Sequence, residues 1–330
     1  MGYFFGDTMP KLLFTADLHI KVGQDNIPIE WIENRFNMFV TQFLEMSEQA
    51  DIIVIGGDLL DRIPTGKHGV KEVAMFFYLM SVLPKRTLVY SGNHEALTKT
   101  TSFLSEFRHS VKKINPNVEI IDDYLSIPEF NIDVIPYNLV KSESYPNFLN
   151  NQILLTHVRG EIPPHVKPEI DLAKLDRWDV VLAGDLHSYD NCQRNILYPG
   201  SPYTTSFHRS KVKTGAILID TNTLKHQWLQ FELPQLIRKT LKAGDPIVNT
   251  TYDHTVFEVE GNVVELAGIT DKNVTKKLEI GIKESSLILD KNMKISDELK
   301  EYLLYICLLD EAQVDSLLNE YSSVNPESKL

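Results

Sequence analysis

Ile52-Ile53-Val54-Ile55-Gly56-Gly57-Asp58-Leu59-Leu60-Asp61 opens as an apolar, β-branched run and closes on glycines and two carboxylates. The run reads as a buried strand, with the polar residues just beyond its carboxyl end. The same construction recurs four times. Lys11-Leu12-Leu13-Phe14-Thr15 leads to Asp17-x-His19, and Thr87-Leu88-Val89-Tyr90 to Gly92-Asn93-His94-Glu95. Ile153-Leu154-Leu155 leads to Thr156-His157, and Val180-Val181-Leu182-Ala183 to Gly184-Asp185-Leu186-His187. Taken singly, Asp58, Asn93 or His187 is an ordinary turn residue after a strand, and His157 an ordinary core histidine. Five strand ends that all stop in Asp, Asn or His are better explained if the strands lie side by side and converge on metal ions.

Around these runs, apolar residues at helical spacing (Ile32, Phe36, Phe39, Val40, Phe43, Leu44) predict a helix from Ile29 to Met46. Further helices are expected over Val70–Leu83, closed by Pro84, and from Ser102 to about Lys112. Such strand–helix alternation implies a sheet covered on both faces, whose ligands bind beyond the carboxyl ends of the strands. From residue 118 the pattern shifts to shorter strands: Val118–Ile121, Tyr124–Ile127, Ile132–Ile135, the two motif strands, Ile196–Tyr198, Thr214–Asp220 and His226–Leu233. These predict a second, more antiparallel sheet packed on the first. Pro234 and the polar stretch Lys239–Asp245 mark a boundary. Beyond it we expect strands at His254–Glu260 and Leu287–Leu289 and a short helix over Thr270–Ile280. A long amphipathic helix is expected from about Ser296 to Tyr321, with Ser296 or Asp297 as its N-cap.

The 330 residues suffice for one large domain or two ordinary ones, and 43% hydrophobic with 24% charged residues is ordinary for a globular protein. No apolar run is long enough to span a bilayer, no secretory signal is visible, and residues 1–8 read as a short extension. Two distant cysteines, Cys192 and Cys307, exclude a disulfide scaffold and a thiolate zinc site, and fit a reducing cytoplasm. The net charge of −12 argues mildly against broad nucleic-acid affinity, but residues 251–330 hold 16 acidic and 8 basic side chains. The acidity is therefore concentrated away from the motifs.

Asp17 and His19, one residue apart, point the same way on an extended segment and can grip one cation. Asp58 is placed to bridge two cations, Asn93 offers a carbonyl oxygen, and His157, Asp185 and His187 complete two half-sites. Carboxylate, amide and imidazole without thiolate suit Mn²⁺ best, with Mg²⁺, Fe or Zn²⁺ as alternatives. Two such cations roughly 3.5–4 Å apart clamp a phosphate and activate a water. His94, beside Asn93, is the candidate for transition-state stabilisation or leaving-group protonation, with Asp61 holding its tautomer; Asp61 also has the plainer readings of an Arg62 partner or a helix cap.

In this order, D-x-H, G-D-x-x-D, G-N-H-E, a lone His and G-x-x-H resemble the calcineurin-like metallophosphoesterase superfamily. Tyr198-Pro199-Gly200-Ser201-Pro202 with Thr205-Ser206-Phe207 resembles the segment after the last motif in SbcD-type recombination nucleases. The resemblance covers residues 10–235 and implies an α/β fold: a four-layer α/β/β/α sandwich with a small α+β capping domain and a C-terminal helix. It implies domains at 1–235 (nuclease), 236–292 (capping, DNA-binding) and 293–330 (helical, partner-binding). It further implies a Mn²⁺-dependent double-strand exonuclease and single-strand endonuclease, dimeric, acting with an SbcC-like coiled-coil ABC-type ATPase in the cytoplasm of a bacterial or phage-infected cell. Asp17, His19, Asp58 and His187 would hold one metal; Asp58, Asn93, His157 and Asp185 the other; His94 would be catalytic. Two residues depart from the pattern. Asp185 stands where the family usually has His, and Asp61 where its nuclease branch often has His. The same fold also serves small-substrate phosphatases and cyclic-nucleotide phosphodiesterases, and an altered Asp185 also fits a non-catalytic scaffold. Candidate DNA contacts are Arg159, Ser201 and the basic loop His208, Arg209 and Lys211, for which a solvated loop is the plainer reading. The C-terminal helix has two readings, docking on its own core or groove recognition of the ATPase.

Overall fold

The computed structural model describes residues 10–24, 26–142, 144–248, 250–278 and 293–324. β1 (Lys11–Thr15), β2 (Ile52–Gly56), β3 (Thr87–Tyr90) and β4 (Val118–Ile121) pair in parallel. They are linked through α1 (Ile29–Ser47), α2 (Gly66–Val82) and α3 (Leu104–Ile114). β5 (Leu125–Ile127), β6 (Ile132–Ile135), β7 (Ile153–His157), β8 (Val180–Gly184) and β9 (Ile196–Leu197) make a second sheet, with α4 (Tyr137–Val140) between β6 and β7. Only β5 is antiparallel there; β6 to β9 run parallel. The expected antiparallel strands join the first sheet instead: β10 (Gly215–Asp220) pairs antiparallel with β1, and β11 (His226–Gln230) with β10.

The period of two along each strand builds the layers. Leu12 and Phe14 of β1 face inward with Ile52, Val54, Leu88, Ile132, Val134, Ile153 and Leu155, forming the core between the sheets. Leu13, Ile53, Ile55 and Val89 face outward onto Phe36, Phe39, Phe43, Phe76 and Leu79 of the helices. Truncating a fully buried aromatic such as Phe39 to Ala costs about 3–5 kcal/mol. The outer face of the second sheet buries Leu154, Trp178, Val181 and Tyr198 under short helical turns. Helix, sheet, sheet and helical turns give the four expected layers, with β1–β3 and β7–β8 ending at one crest.

Contacts divide the described residues into two compact units. One holds the chain up to Leu241 with Asp245–Glu258 and Thr270–Thr275; the other holds Lys242–Gly244, Val259–Ile269 and the chain from Lys276 onward. A three-stranded sheet contains β12 (Leu236–Lys242), β13 (His254–Gly261) and β14 (Val274–Leu278), and α5 (Val263–Ala267) lies between β13 and β14 in sequence. β14 corrects the helix expected over Thr270–Ile280: Val274-Thr275 is β-branched, and an open edge of β13 accepts it. The strand expected at Leu287–Leu289 lies outside the described residues. The long terminal helix is interrupted. α6 (Ile295–Glu301) begins after Lys294, passes into a π-helical turn at Tyr302–Ile306, and α7 (Glu311–Val324) restarts beyond Leu308, whose φ is +53°.

Candidate metal centre

Where β1 and β2 end, their chains stay laced together: Asp17 N–H donates to Gly57 O (3.0 Å), His19 N–H to Asp58 O (2.8 Å) and Ile20 N–H to Leu59 O (2.7 Å). Asp17, His19, Asp58 and Asp185 all adopt positive φ, at 58°, 43°, 51° and 100°. Left-handed backbone costs a residue with a Cβ about 1–2 kcal/mol. Four instances among seven expected ligands mark a crest whose backbone is held for what its side chains do. Gly57, at φ +90°, is glycine for the same reason. Gly92 has another: a Cβ there would collide with Asp58 Oδ1 and the His157 ring.

The sequence-predicted ligands meet. Oxygen and nitrogen donors of Asp17, His19 and His187 lie within 4.8 Å of one another, as do those of Asp17, Asp58 and His157. His19 Nε2 is 3.1 Å from His187 Nε2 and 3.5 Å from Asp58 Oδ2. Asp58 Oδ2 is 3.6 Å from His157 Nε2, which stands 2.9 Å from the Asn93 side-chain amide and 4.0 Å from Asp185 Oδ1. Asp58 thus sits between the two groups. His157 donates Nδ1–H to Gly56 O at 2.9 Å, so that Nε2 faces the site.

Burial raises Asp17 to about 6, helped by the Asp58 charge and opposed by His157. Burial pulls His157 down, but Asp58, Asp17 and Asp185 overcome it and raise it to about 9. His19 is raised as well: its burial is outweighed by Asp61, Asp58 and Asp17. His187, although its residue is exposed at the rim, is pushed down to about 4 by desolvation at its ring and by the neighbouring His19. An imidazole ligates a cation only in its neutral form, so metal binding at His19 and His157 competes with the proton that the neighbouring carboxylates favour there.

His94 and Asp61 are arranged differently from the expectation. His94 Nδ1–H donates to the main-chain carbonyl of Asp61 (2.5 Å), not to its carboxylate. The carboxylate lies 3.5 Å from His19 Nδ1 and 2.7 Å from Lys21 Nζ. These partners outweigh its desolvation and hold it far below the usual carboxylate range. His94 N–H donates to Asp58 Oδ1 at 2.9 Å, and His94 Nε2 is 3.9 Å from Asp58 Oδ2 on the solvent side of the site.

The motif alone gives Glu95 no role. It is fully buried, and its carboxylate accepts N–H bonds from Asp58 (3.0 Å), Leu60 (2.9 Å) and Gly92 (2.8 Å). Burial and the Asp58 charge raise it to about 7. It ties the loop after β2 to the loop after β3, and the last letter of G-N-H-E was the available signal.

The candidate DNA contacts separate. Ser201 is 3% exposed and donates to Asp17 O at 2.7 Å, also lying 2.6 Å from Tyr203 O, so its hydroxyl braces a ligand loop rather than facing a phosphate. Arg159 pairs with Asp185, Nε to Oδ2 at 3.1 Å. Arg209 lies 3.9 Å from Glu258, and Lys211 2.9 Å from Asp253; both remain largely exposed. His208, partly buried, stands 3.4 Å from Ser206 Oγ.

Facing imidazole nitrogens, a central two-oxygen carboxylate and no thiolate match the chemistry of a two-cation phosphoester site. The sequence matches the family described as Calcineurin-like phosphoesterase over residues 10–189, and the chain belongs to that family. It is a metal-dependent phosphoesterase. Over 319 residues it is 39% identical to "Probable exonuclease subunit 1" of Escherichia phage T5, covering 93% of this chain and 96% of that protein. It is 29% identical over 253 residues to "Putative phosphoesterase 244L" of Invertebrate iridescent virus 6, covering 70% and 82%. Among solved structures, a Thermus thermophilus protein, TT1561, overlays 68% of this chain and 99% of that one, with a TM-score of 0.41 and 16% identity.

Proposed function

We propose that this chain is the nuclease subunit of a DNA exonuclease. The observation that carries the reading is 39% identity, along nearly the whole of both chains, to a protein named as an exonuclease subunit. The converged ligand set supports it. Asp17, His19, Asp58 and His187 would hold one divalent cation, and Asp58, Asn93, His157 and Asp185 the other, with Mn²⁺ the best match to mixed oxygen and imidazole donors. When bound, such a pair supplies Lewis acidity and a nucleophilic water at neutral pH. The residues do the rest. Glu95 and Ser201 hold the ligand loops in register. His94, its Nδ1 committed to the Asp61 carbonyl, presents Nε2 to a leaving oxygen and carries the transferred proton there.

The reading extends to single-strand endonuclease activity, a homodimer, a role in recombination or repair, and an SbcC-like ATPase partner. The relative's description as a subunit supports a partner. So does the terminal segment, where Ile295 (67%), Tyr305 (56%) and Leu308 (65%) are exposed apolar side chains. The test is Mn²⁺-dependent release of nucleotides from linear duplex DNA by the purified chain, with and without a coiled-coil ATPase. Rapid turnover of p-nitrophenyl phosphate with no attack on DNA would establish the small-substrate reading instead. Intact function in an Asp58→Ala variant would point to a scaffold.

A further inference from the structure

The ligand set holds three carboxylates, Asp17, Asp58 and Asp185, and they are held differently. Asp17 accepts main-chain N–H from Asp185 at 3.0 and 3.2 Å, and Asp58 accepts it from His94 at 2.9 Å. Asp185 is met by a cation. The Arg159 guanidinium donates Nε–H to Oδ2 (3.1 Å) and Nη2–H to Oδ1 (3.3 Å), in the fork geometry suited to a carboxylate. Among the described residues, Arg159 is the one Lys or Arg ion-paired with any of the seven expected ligands. The Asp185 side chain is 6% exposed while that of Arg159 is 44% exposed, so the cation closes the solvent side of a buried anion. The Arg159 backbone is pinned separately: its N–H donates to Glu169 Oε1 at 3.0 Å, and Glu169 in turn pairs with Lys141 at 2.8 Å.

We propose that Arg159 exchanges partners: it pairs with Asp185 when no cation engages that carboxylate, and turns to a phosphodiester oxygen of the substrate when one does. The inference rests on Asp185 being a ligand. A guanidinium and a divalent cation compete for the same two oxygens, so Arg159 weakens metal binding. A guanidinium released at the rim of a site carrying three carboxylates is well suited to a phosphodiester anion, which it can hold in the same bidentate fork. Its effects on metal and on substrate are therefore opposite in sign. A residue that merely kept the loop folded would weaken both when removed.

The experiment titrates metal-free protein with Mn²⁺ by calorimetry and, separately, measures KM on linear duplex DNA, or on bis-p-nitrophenyl phosphate if DNA is not attacked. For Arg159→Ala we expect the weaker Mn²⁺ step to tighten by about five- to tenfold and KM to rise by about tenfold or more. Arg159→Lys, which keeps the charge and loses the fork, should fall between wild type and Arg159→Ala on both readouts. Unchanged or weaker Mn²⁺ binding in Arg159→Ala overturns the proposal, as does an unchanged KM. Asp58→Ala is the control: if it too binds two ions with wild-type affinity, the metal-centre reading fails. If it loses them while Arg159→Ala does not tighten, only the exchange fails.

Discussion

The two sheets present their ligands by different means. On the first, the loops after β1, β2 and β3 are tied to each other by main-chain bonds and by the buried Glu95 carboxylate, which gathers three N–H groups. Asp17, His19 and Asp58 are positioned by these interior bonds. On the second, His157 is still within β7 and is aimed by one carbonyl, while Asp185 at the end of β8 is held by a surface arginine. One half of the site is fixed by buried backbone bonds, and the other is adjustable through a side chain in contact with solvent. A frame that is costly to disturb thus sits beside a position where charge can be tuned without unfolding anything.

The contrast can be broken in order of expected effect. Asp58→Ala removes a carboxylate whose Oδ2 lies 3.5 Å from His19 Nε2 and 3.6 Å from His157 Nε2; phosphodiesterase rate should fall about 10³-fold or more, with loss of bound metal by elemental analysis. Glu95→Ala strikes the frame itself. It strips three buried N–H groups of their acceptor, so we expect about 3 kcal/mol or more of lost stability by denaturant titration. Metal affinity should fall by about 10–100-fold with it. A comparable loss of stability in Arg159→Ala would erase the distinction between the two halves.

The pH dependence comes next. Asp17 at about 6, Glu95 at about 7 and His157 at about 9 are all raised from their ordinary values. A raised group contributes most below its unfolded-state pKa and loses that contribution as pH climbs through the folded value. Asp17's share is lost between about pH 4 and 6 and most of Glu95's below pH 7, so the several degrees of Tm that metal-free protein should lose between pH 6 and pH 9 come mainly from His157, and saturating divalent cation should flatten the slope, as calorimetry can show. Asp61, held low, acts in the opposite sense and contributes only above the ordinary Asp range, its share disappearing as the pH falls below it. The smallest effect is expected from Arg209→Ala with Lys211→Ala. Both cations already face carboxylates, so the salt dependence of DNA affinity should lose about one to two units of slope with little change in rate.

Much of this was legible in the residues. Alternating apolar runs placed Leu12 and Phe14 opposite Leu13, and the polar residues after each run marked the crest where the ligands meet. Other features were not. Whether β6 to β9 run parallel depends on which strands share hydrogen bonds, and a short apolar strand has the same local pattern either way. Val274–Leu278 is a strand in the company of β13 rather than from its own periodicity. The Tyr198–Phe207 segment resembles a nuclease signature, yet Tyr198, Ser201, Tyr203 and Thr204 are all buried at 4% exposure or less. Ser201 works on the Asp17 loop from behind. A sequence shows that a hydroxyl is present, not which way it faces.

By itself, the sequence determined which chemical groups the site can contain and the order in which strands deliver them, because a period of two and a polar strand end are local properties. Tertiary structure decided which groups meet. Glu95 finds Asp58, Leu60 and Gly92, Asp61 offers His94 its carbonyl rather than its carboxylate, and Arg159 covers Asp185. Each of these contacts needs two or three loops brought within about 3 Å of one another, the range in which hydrogen bonds and ion pairs act. Only the packed sheets set that distance.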